Sequence, residues 1–150
     1  IHVIMDCLTC KSLRGEVAIS PGGIIYEGIY WQVEHASPTA VRGWLVIILK
    51  RHCQALHELG VKEFQELANI QKMLVDALRA GLGSEKEYVA IFAEKEGFNH
   101  IHVHVIARPK DLSADFKGPK IFSLLNKAKE KTLSSQEVID VSNKIKQLVV

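Results

Sequence analysis

Cysteine is too scarce in this sequence to build a disulfide framework. There are three in 150 residues, an odd number, and two of them form a Cys7-x-x-Cys10 pair, so a small, stapled secreted scaffold is excluded. Long apolar runs are missing as well. A bilayer-spanning helix needs about 20 consecutive apolar residues, whereas the run from Trp44 stops at Lys50. Charge of one sign is not in excess: 19 Lys and Arg against 17 Asp and Glu leave a net charge of +2, too little to argue for a nucleic-acid or membrane partner. The one local concentration, Lys127 to Lys131, reads as a solvated helix end. Repeats and low-complexity tracts are absent. Ile1 to Ile4 is too short for a secretory signal and no basic leader precedes it. With Met5 standing just before Asp6-Cys7, residues 1–4 are expected to precede the natural start, and the protein is expected to be cytoplasmic.

What the sequence does have is an alternating run from Phe98 to Ile106 with histidine at His100, His102 and His104. Side chains of a strand alternate faces with period two, so the three imidazoles are expected on one face, with Ile101, Val103 and Val105 on the other. Their α-carbons should lie roughly 6.5–7 Å apart. That spacing suits rings acting together on one small anionic group, or on a group and a metal. A single histidine on an apolar strand is most often structural. Three in register each add ring nitrogens that need partners, and packing alone does not explain them. The run is read as the strand of an active site.

The rest of the chain reads as one domain over residues 1–150, long enough to bury a core. Cys7 to Gly15 is expected to be irregular and Ser20-Pro21-Gly22-Gly23 a turn. Strands are expected at Ile24–Glu27 and Ile29–Glu34, hinged at Gly28, and at Trp44–Leu49. A helix follows His52, with Phe64, Leu67, Ala68, Leu74, Val75 and Leu78 on its apolar face and Gly81 and Gly83 ending it. Tyr88–Ala93 and Asn99–Ala107 read as two further strands, and Ser134 with Glu137 as a capping box opening a last helix. The order is that of an α+β fold with a mainly antiparallel sheet of about five strands, one long helix and a C-terminal helical tail.

His100-Ile101-His102-Val103-His104-Val105-Ile106 matches in full the signature of the histidine triad (HIT) family, His-φ-His-φ-His-φ-φ with φ apolar. Ile24–Glu27, Ser37-Pro38 and Gly43 to His52 are similar to the family's upstream blocks, so the resemblance covers about residues 7–109 and leaves a tail, 110–150, outside it. It implies a HIT-like fold and a nucleotide hydrolase or nucleotidyl transferase acting at the α-phosphate. The middle histidine, His102, would attack phosphorus and carry the nucleotidyl group. His104 would bind phosphate oxygens and assist charge or proton movement at the leaving group, and the His100 carbonyl could orient the His102 ring. Tyr26 and Val33 stand where the base pocket is expected. His35, beside Glu34, stands where the family has an acidic residue for the ribose hydroxyls, and Asn99 could offer an amide to phosphate. The expected substrate is a nucleotide or nucleotide conjugate, whether dinucleoside polyphosphate, nucleoside phosphoramidate or nucleotide sugar. The competing reading is a non-catalytic nucleotide- or zinc-binding module with a regulatory or docking role.

Taken alone, Cys7-x-x-Cys10 is a redox pair, half of a metal site, or coincidence. Thioredoxin-like chemistry would need a βαβ unit, and none follows. Zinc takes four ligands in a tetrahedron, commonly two Cys and two His. The resemblance supplies His52 and His100 to complete Cys7 and Cys10, and so implies one structural zinc per chain. Cys53 reads as a partly buried thiol facing away, and His2, His35 and His57 as surface or loop histidines. The resemblance further implies a symmetric homodimer, with the apolar face of helix 63–80 and strand 88–93 at the contact.

Overall fold

The computed structural model describes residues 7–125 and 131–149, so residues 1–4, His2 and most of the Lys127–Lys131 run lie outside the described residues. A short helix α1 (Leu8–Leu13) leads into β1 (Ile24–Glu27), β2 (Trp31–His35) and β3 (Trp44–Leu49). The long helix α2 (Val61–Leu82) then precedes β4 (Glu87–Ala90) and β5 (His102–Ala107), and α3 (Ser135–Leu148) follows two 3₁₀ segments, Ala114–Phe116 and Gly118–Leu124. The five strands form one antiparallel sheet in the order β1-β2-β3-β5-β4. This is the expected α+β architecture.

Register sorts the sheet's side chains onto two faces. Val33, Ile47 and Val103 stand opposite one another and belong to the core that α2 and α3 cover, with Trp31, Leu49, Leu67, Leu74 and Ile145. Gln32, Ile48 and His102 form one row on the other face, and Glu34, Val46, His104 and Ala90 the next. A smaller cluster of Trp44, Ile106, Ile121 and Leu124, with Phe122 against it, covers the Trp44 end of that face.

Several local expectations are corrected. Residues 8–13 are helical, with Cys7 Sγ capping the helix by accepting from Cys10 N at 3.3 Å; six residues are too few for a periodic signal. The buried face of α2 is Glu63, Leu67, Ile70, Leu74, Ala77 and Leu78, while Phe64 and Ala68 face outward. That apolar face is spent on the chain's own sheet, so it is not available for a dimer contact. Only Gly83 caps the helix, at φ +67° with its N–H donating to Arg79 O at 3.0 Å. Gly81 lies inside it, where a Cβ would come within 2.8 Å of Leu148 Cδ1. Strand β4 ends at Ala90 because the chain turns away toward Ala93, which has φ +56°. Strand β5 starts only at His102.

The 28–30 turn is fastened from outside the sheet. One carboxylate, Glu66 on α2, accepts from the backbone N–H groups of Ile29, Tyr30 and Trp31 at 3.0, 2.9 and 3.1 Å. Removing it strands three donors, two of them part-buried, so Glu66→Ala should lower unfolding free energy by about 1–3 kcal/mol. Urea denaturation measures this, and an unchanged midpoint would contradict it.

Candidate functional site

Four side chains that are far apart in sequence meet below the start of β5. The ligand atoms of Cys7, Cys10, His52 and His100 all lie within 4.8 Å of one another. Cys10 Sγ is 3.2 Å from His52 Nδ1 and 3.5 Å from His100 Nδ1, and Cys7 Sγ is 3.6 Å from His100 Nδ1. A tetrahedron with metal–sulfur bonds of about 2.3 Å and metal–nitrogen bonds of about 2.0–2.1 Å has sulfur–nitrogen edges of roughly 3.5 Å, so these three contacts match the edges that a zinc-like ion requires. The outer contacts agree. His100 Nε2 donates to the Leu49 carbonyl at 2.6 Å, which leaves Nδ1 as the ligating nitrogen. Burial, with Cys7 beside it, pushes the Cys10 thiol up to about 11, so Cys10 resists ionisation until a cation joins it. The Cys-x-x-Cys pair is thus half of a candidate metal site.

His100 also reaches the cavity side through its backbone. Its carbonyl accepts from His102 Nδ1 at 2.6 Å. A carbonyl cannot donate, so the His102 proton sits on Nδ1 and its Nε2 lone pair is left for the cavity. Burial lowers the His102 pKa, which keeps the ring neutral at pH 7. His104 lies beside it, ring centroids 5.0 Å apart. Trp44 Nε1 donates to His104 Nδ1 at 2.9 Å, and burial, with a smaller contribution from His102, brings the His104 pKa down to about 3. His102 and His104 therefore face the cavity, while the third triad ring, His100, is turned into the cysteine cluster.

The cavity, of about 230 Å³, is walled by Thr9, Ser12 and Leu13 of α1, by Glu34, Val46 and Ile48 of the sheet, by Phe92 to Lys95 and Phe98, and by Phe122 and Leu125 of the tail. Phe122 packs edge-on against His104, Trp44 and Phe92 at 4.9, 5.1 and 5.2 Å between centroids.

Of the residues expected to bind substrate, only His104 turns a ring toward this cavity. Val33 is fully buried on the opposite face, and Tyr26, in register with it, packs against the same core. Asn99 is exposed and outside the lining. His35 borders the cavity but is 1% exposed, not a surface residue. Its Nδ1 donates to Ala36 O at 2.8 Å and its Nε2 accepts from Gly43 N at 3.0 Å, so both nitrogens are committed to holding the β2–β3 loop. Glu34 faces the cavity in its place, its pKa raised by burial. Neither Trp44 nor Phe122 is marked as a site residue by a sequence motif. Trp44 is legible in retrospect, since it lies an even number of residues from Val46 and Ile48 on one strand. Phe122 sits in an apolar cluster, Ile121 to Leu125, that no motif marks.

A sheet with two histidines of an alternating triad over a cavity defines the class, a HIT-like α+β protein. The HIT domain model matches residues 20–111, and the chain belongs to that family. No curated protein matches the sequence. Among solved structures, a histidine triad nucleotide-binding protein from Sulfolobus tokodaii superposes with a TM-score of 0.71 at 19% identity, covering 95% of this chain and 91% of its own. A HIT-like protein involved in cell-cycle regulation from Bartonella henselae gives 0.70 at 16%, covering 92% of each chain. A zinc-bound histidine triad family protein from Mycobacterium smegmatis gives 0.64 at 20%, covering 96% and 98%. At these identities the likeness is one of fold.

Two predictions follow from the geometry. The purified protein should carry about one zinc per chain, and Cys10→Ala should lose both the metal and several degrees of thermal midpoint, because metal binding is coupled to folding; metal analysis that finds Cys10→Ala still fully loaded would refute the cluster. Separately, His35 is held neutral in the fold at about 4 and takes a proton near 6.5 when unfolded. The unfolded chain thus binds more protons between these values, and stability must fall as pH drops from about 6.5 to about 4, by up to roughly 3 kcal/mol. His35→Gln should show a correspondingly shallower fall in urea midpoint between pH 7 and pH 5; an identical slope in both proteins would count against it.

Proposed function

We propose that this protein is a nucleotide phosphohydrolase or nucleotidyl transferase working through a covalent nucleotidyl group on His102. The observation that carries the reading is the 2.6 Å bond from His102 Nδ1 to the His100 carbonyl, which presents a neutral ring with a free Nε2 lone pair to the cavity. Nε2 forms a bond to the α-phosphorus as the bond to the leaving group breaks with its electron pair. Water, or the hydroxyl of another acceptor, then attacks phosphorus as the nitrogen–phosphorus bond breaks with its electron pair returning to Nε2; the attacking oxygen's proton passes to solvent, and His102 is again neutral. His104, the proton on its Nε2, donates to a phosphoryl oxygen as charge builds. Ile48 and Val46, with Phe98 beyond, give an apolar surface for a base, and Glu34 takes the ribose hydroxyls in the place first read at His35. Zinc on Cys7, Cys10, His52 and His100 has a structural part: it fixes the segment whose carbonyl orients His102.

The apolar side chains of Val89 on β4 and Phe92 just beyond it are exposed, and β4 is an edge strand, which supports a symmetric homodimer through that edge. No described helix is long and apolar enough to cross a membrane.

His102→Ala should abolish turnover while the fold and the metal content stay as in the parent. A brief incubation with substrate labelled at the α-phosphate, quenched in alkali, should leave label on the protein and none on His102→Ala. A variant that retains parental turnover would remove the covalent route, and unlabelled protein that binds nucleotide without turning it over would identify a binding module.

A further inference from the structure

We propose that Trp44 holds His104 as a neutral hydrogen-bond donor with no second proton to give, and that the cavity therefore favours phosphoric anhydrides over phosphoramidates. This rests on the nucleotidyl transfer proposed for His102 and narrows its substrate class.

An indole N–H can only donate. Trp44 Nε1 lies 2.9 Å from His104 Nδ1, so that ring nitrogen must present its lone pair and the ring's proton must sit on Nε2. Trp44 is fully buried and His104 is 6% exposed, so water does not replace the bond. A proton added at Nδ1 would set N–H against N–H. The surroundings offer that charge nothing. On its own strand His104 meets His102; across the sheet it meets Val46 on β3 and Ala90 on β4; above it lies Phe122. The charged groups on the cavity wall are Glu34, Glu94 and Lys95. Glu34 stands opposite Val46, two strand spacings or about 10 Å from His104, while Glu94 and Lys95 belong to the loop between β4 and β5.

The chemistry then divides by leaving group. When His102 Nε2 bonds to phosphorus in an anhydride, the P–O bond breaks and a phosphate oxygen leaves with the electron pair. A phosphate is a stable anion near neutral pH, and one donated hydrogen bond from His104 Nε2 suffices. In a phosphoramidate the P–N bond must break, and an amine leaves only if its nitrogen gains a proton. A doubly protonated imidazole can supply that proton; a neutral one cannot, since losing its only N–H proton would make an anion in a buried site.

The test uses the metal-loaded protein with ¹⁵N-labelled histidine. His104 should show the Nε2–H tautomer and no titration between pH 7.5 and 5. In Trp44→Phe, which keeps an aromatic ring but loses the donor, both tautomers and a titration should appear. In parallel, kcat/KM is measured on a dinucleoside polyphosphate and a phosphoramidate of the same nucleoside. General acid assistance is worth about 10²- to 10⁴-fold, so the parent protein should favour the anhydride by about 100-fold or more, and Trp44→Phe should cut that ratio at least about 10-fold. A His104 that titrates near 6.5 in the parent, or a parent that prefers the phosphoramidate, overturns the proposal while leaving His102 chemistry standing. Turnover of neither substrate, with no label on His102, overturns the parent reading and the selectivity together. If Trp44→Phe does not fold, the parent's tautomer and substrate ratio decide alone.

Discussion

Everything at this site depends on where one residue, His100, is pinned. Its ring nitrogen Nδ1 faces both sulfurs of the Cys-x-x-Cys pair, its Nε2 donates to the last residue of the central strand, and its carbonyl fixes the proton of His102. The ring is completely buried, so each of these contacts replaces one that water would otherwise supply. A local displacement of His100 would at once loosen the metal cluster and free the His102 ring to rotate. The cluster and the His102 ring are coupled through a single peptide unit.

Sheet pairing extends that constraint outward. Since His102 and His104 stand opposite Ile48 and Val46, which stand opposite Gln32 and Glu34, the histidine end and the carboxylate end of the cavity are separated by whole strand spacings and cannot drift independently. The face that carries them is apolar between its ends, and the aromatic cover supplied by Trp44, Phe122 and Phe92 lowers the effective dielectric where charge would develop.

Features governed by short-period patterns were legible in the sequence. The strand Trp44–Leu49 coincides with its apolar run to the residue, and Ser134 caps the last helix, its hydroxyl accepting from Glu137 N at 3.1 Å. The triad and the four donors of the metal cluster were legible because their chemistry is rare and their spacing strict. What failed was whatever tertiary context decides. Val33 and His35 occupy plausible positions in a linear motif, but strand parity sends Val33 to the helix side, and the β2–β3 loop claims both His35 nitrogens. Phe64 fits an apolar stripe as well as Ile70 does; only the direction in which α2 meets the sheet selects between them. The tail was unreadable for a different reason. Residues 118–124 reach the site through the Phe122 ring, and no local pattern encodes a contact between Phe122 and His104 on a distant strand.

The short helix α1 belongs to two environments at once. Cys10 faces the metal cluster, while Thr9, Ser12 and Leu13 wall the cavity. Six residues have little helical stability of their own, so α1 is ordered by what lies on either side of it. The two sides would then be thermodynamically linked: if an ion orders α1 and so raises affinity for an occupant of the cavity, that occupant must raise affinity for the ion by the same factor. A metal held at the cluster would thereby be felt in the cavity without contacting what the cavity holds.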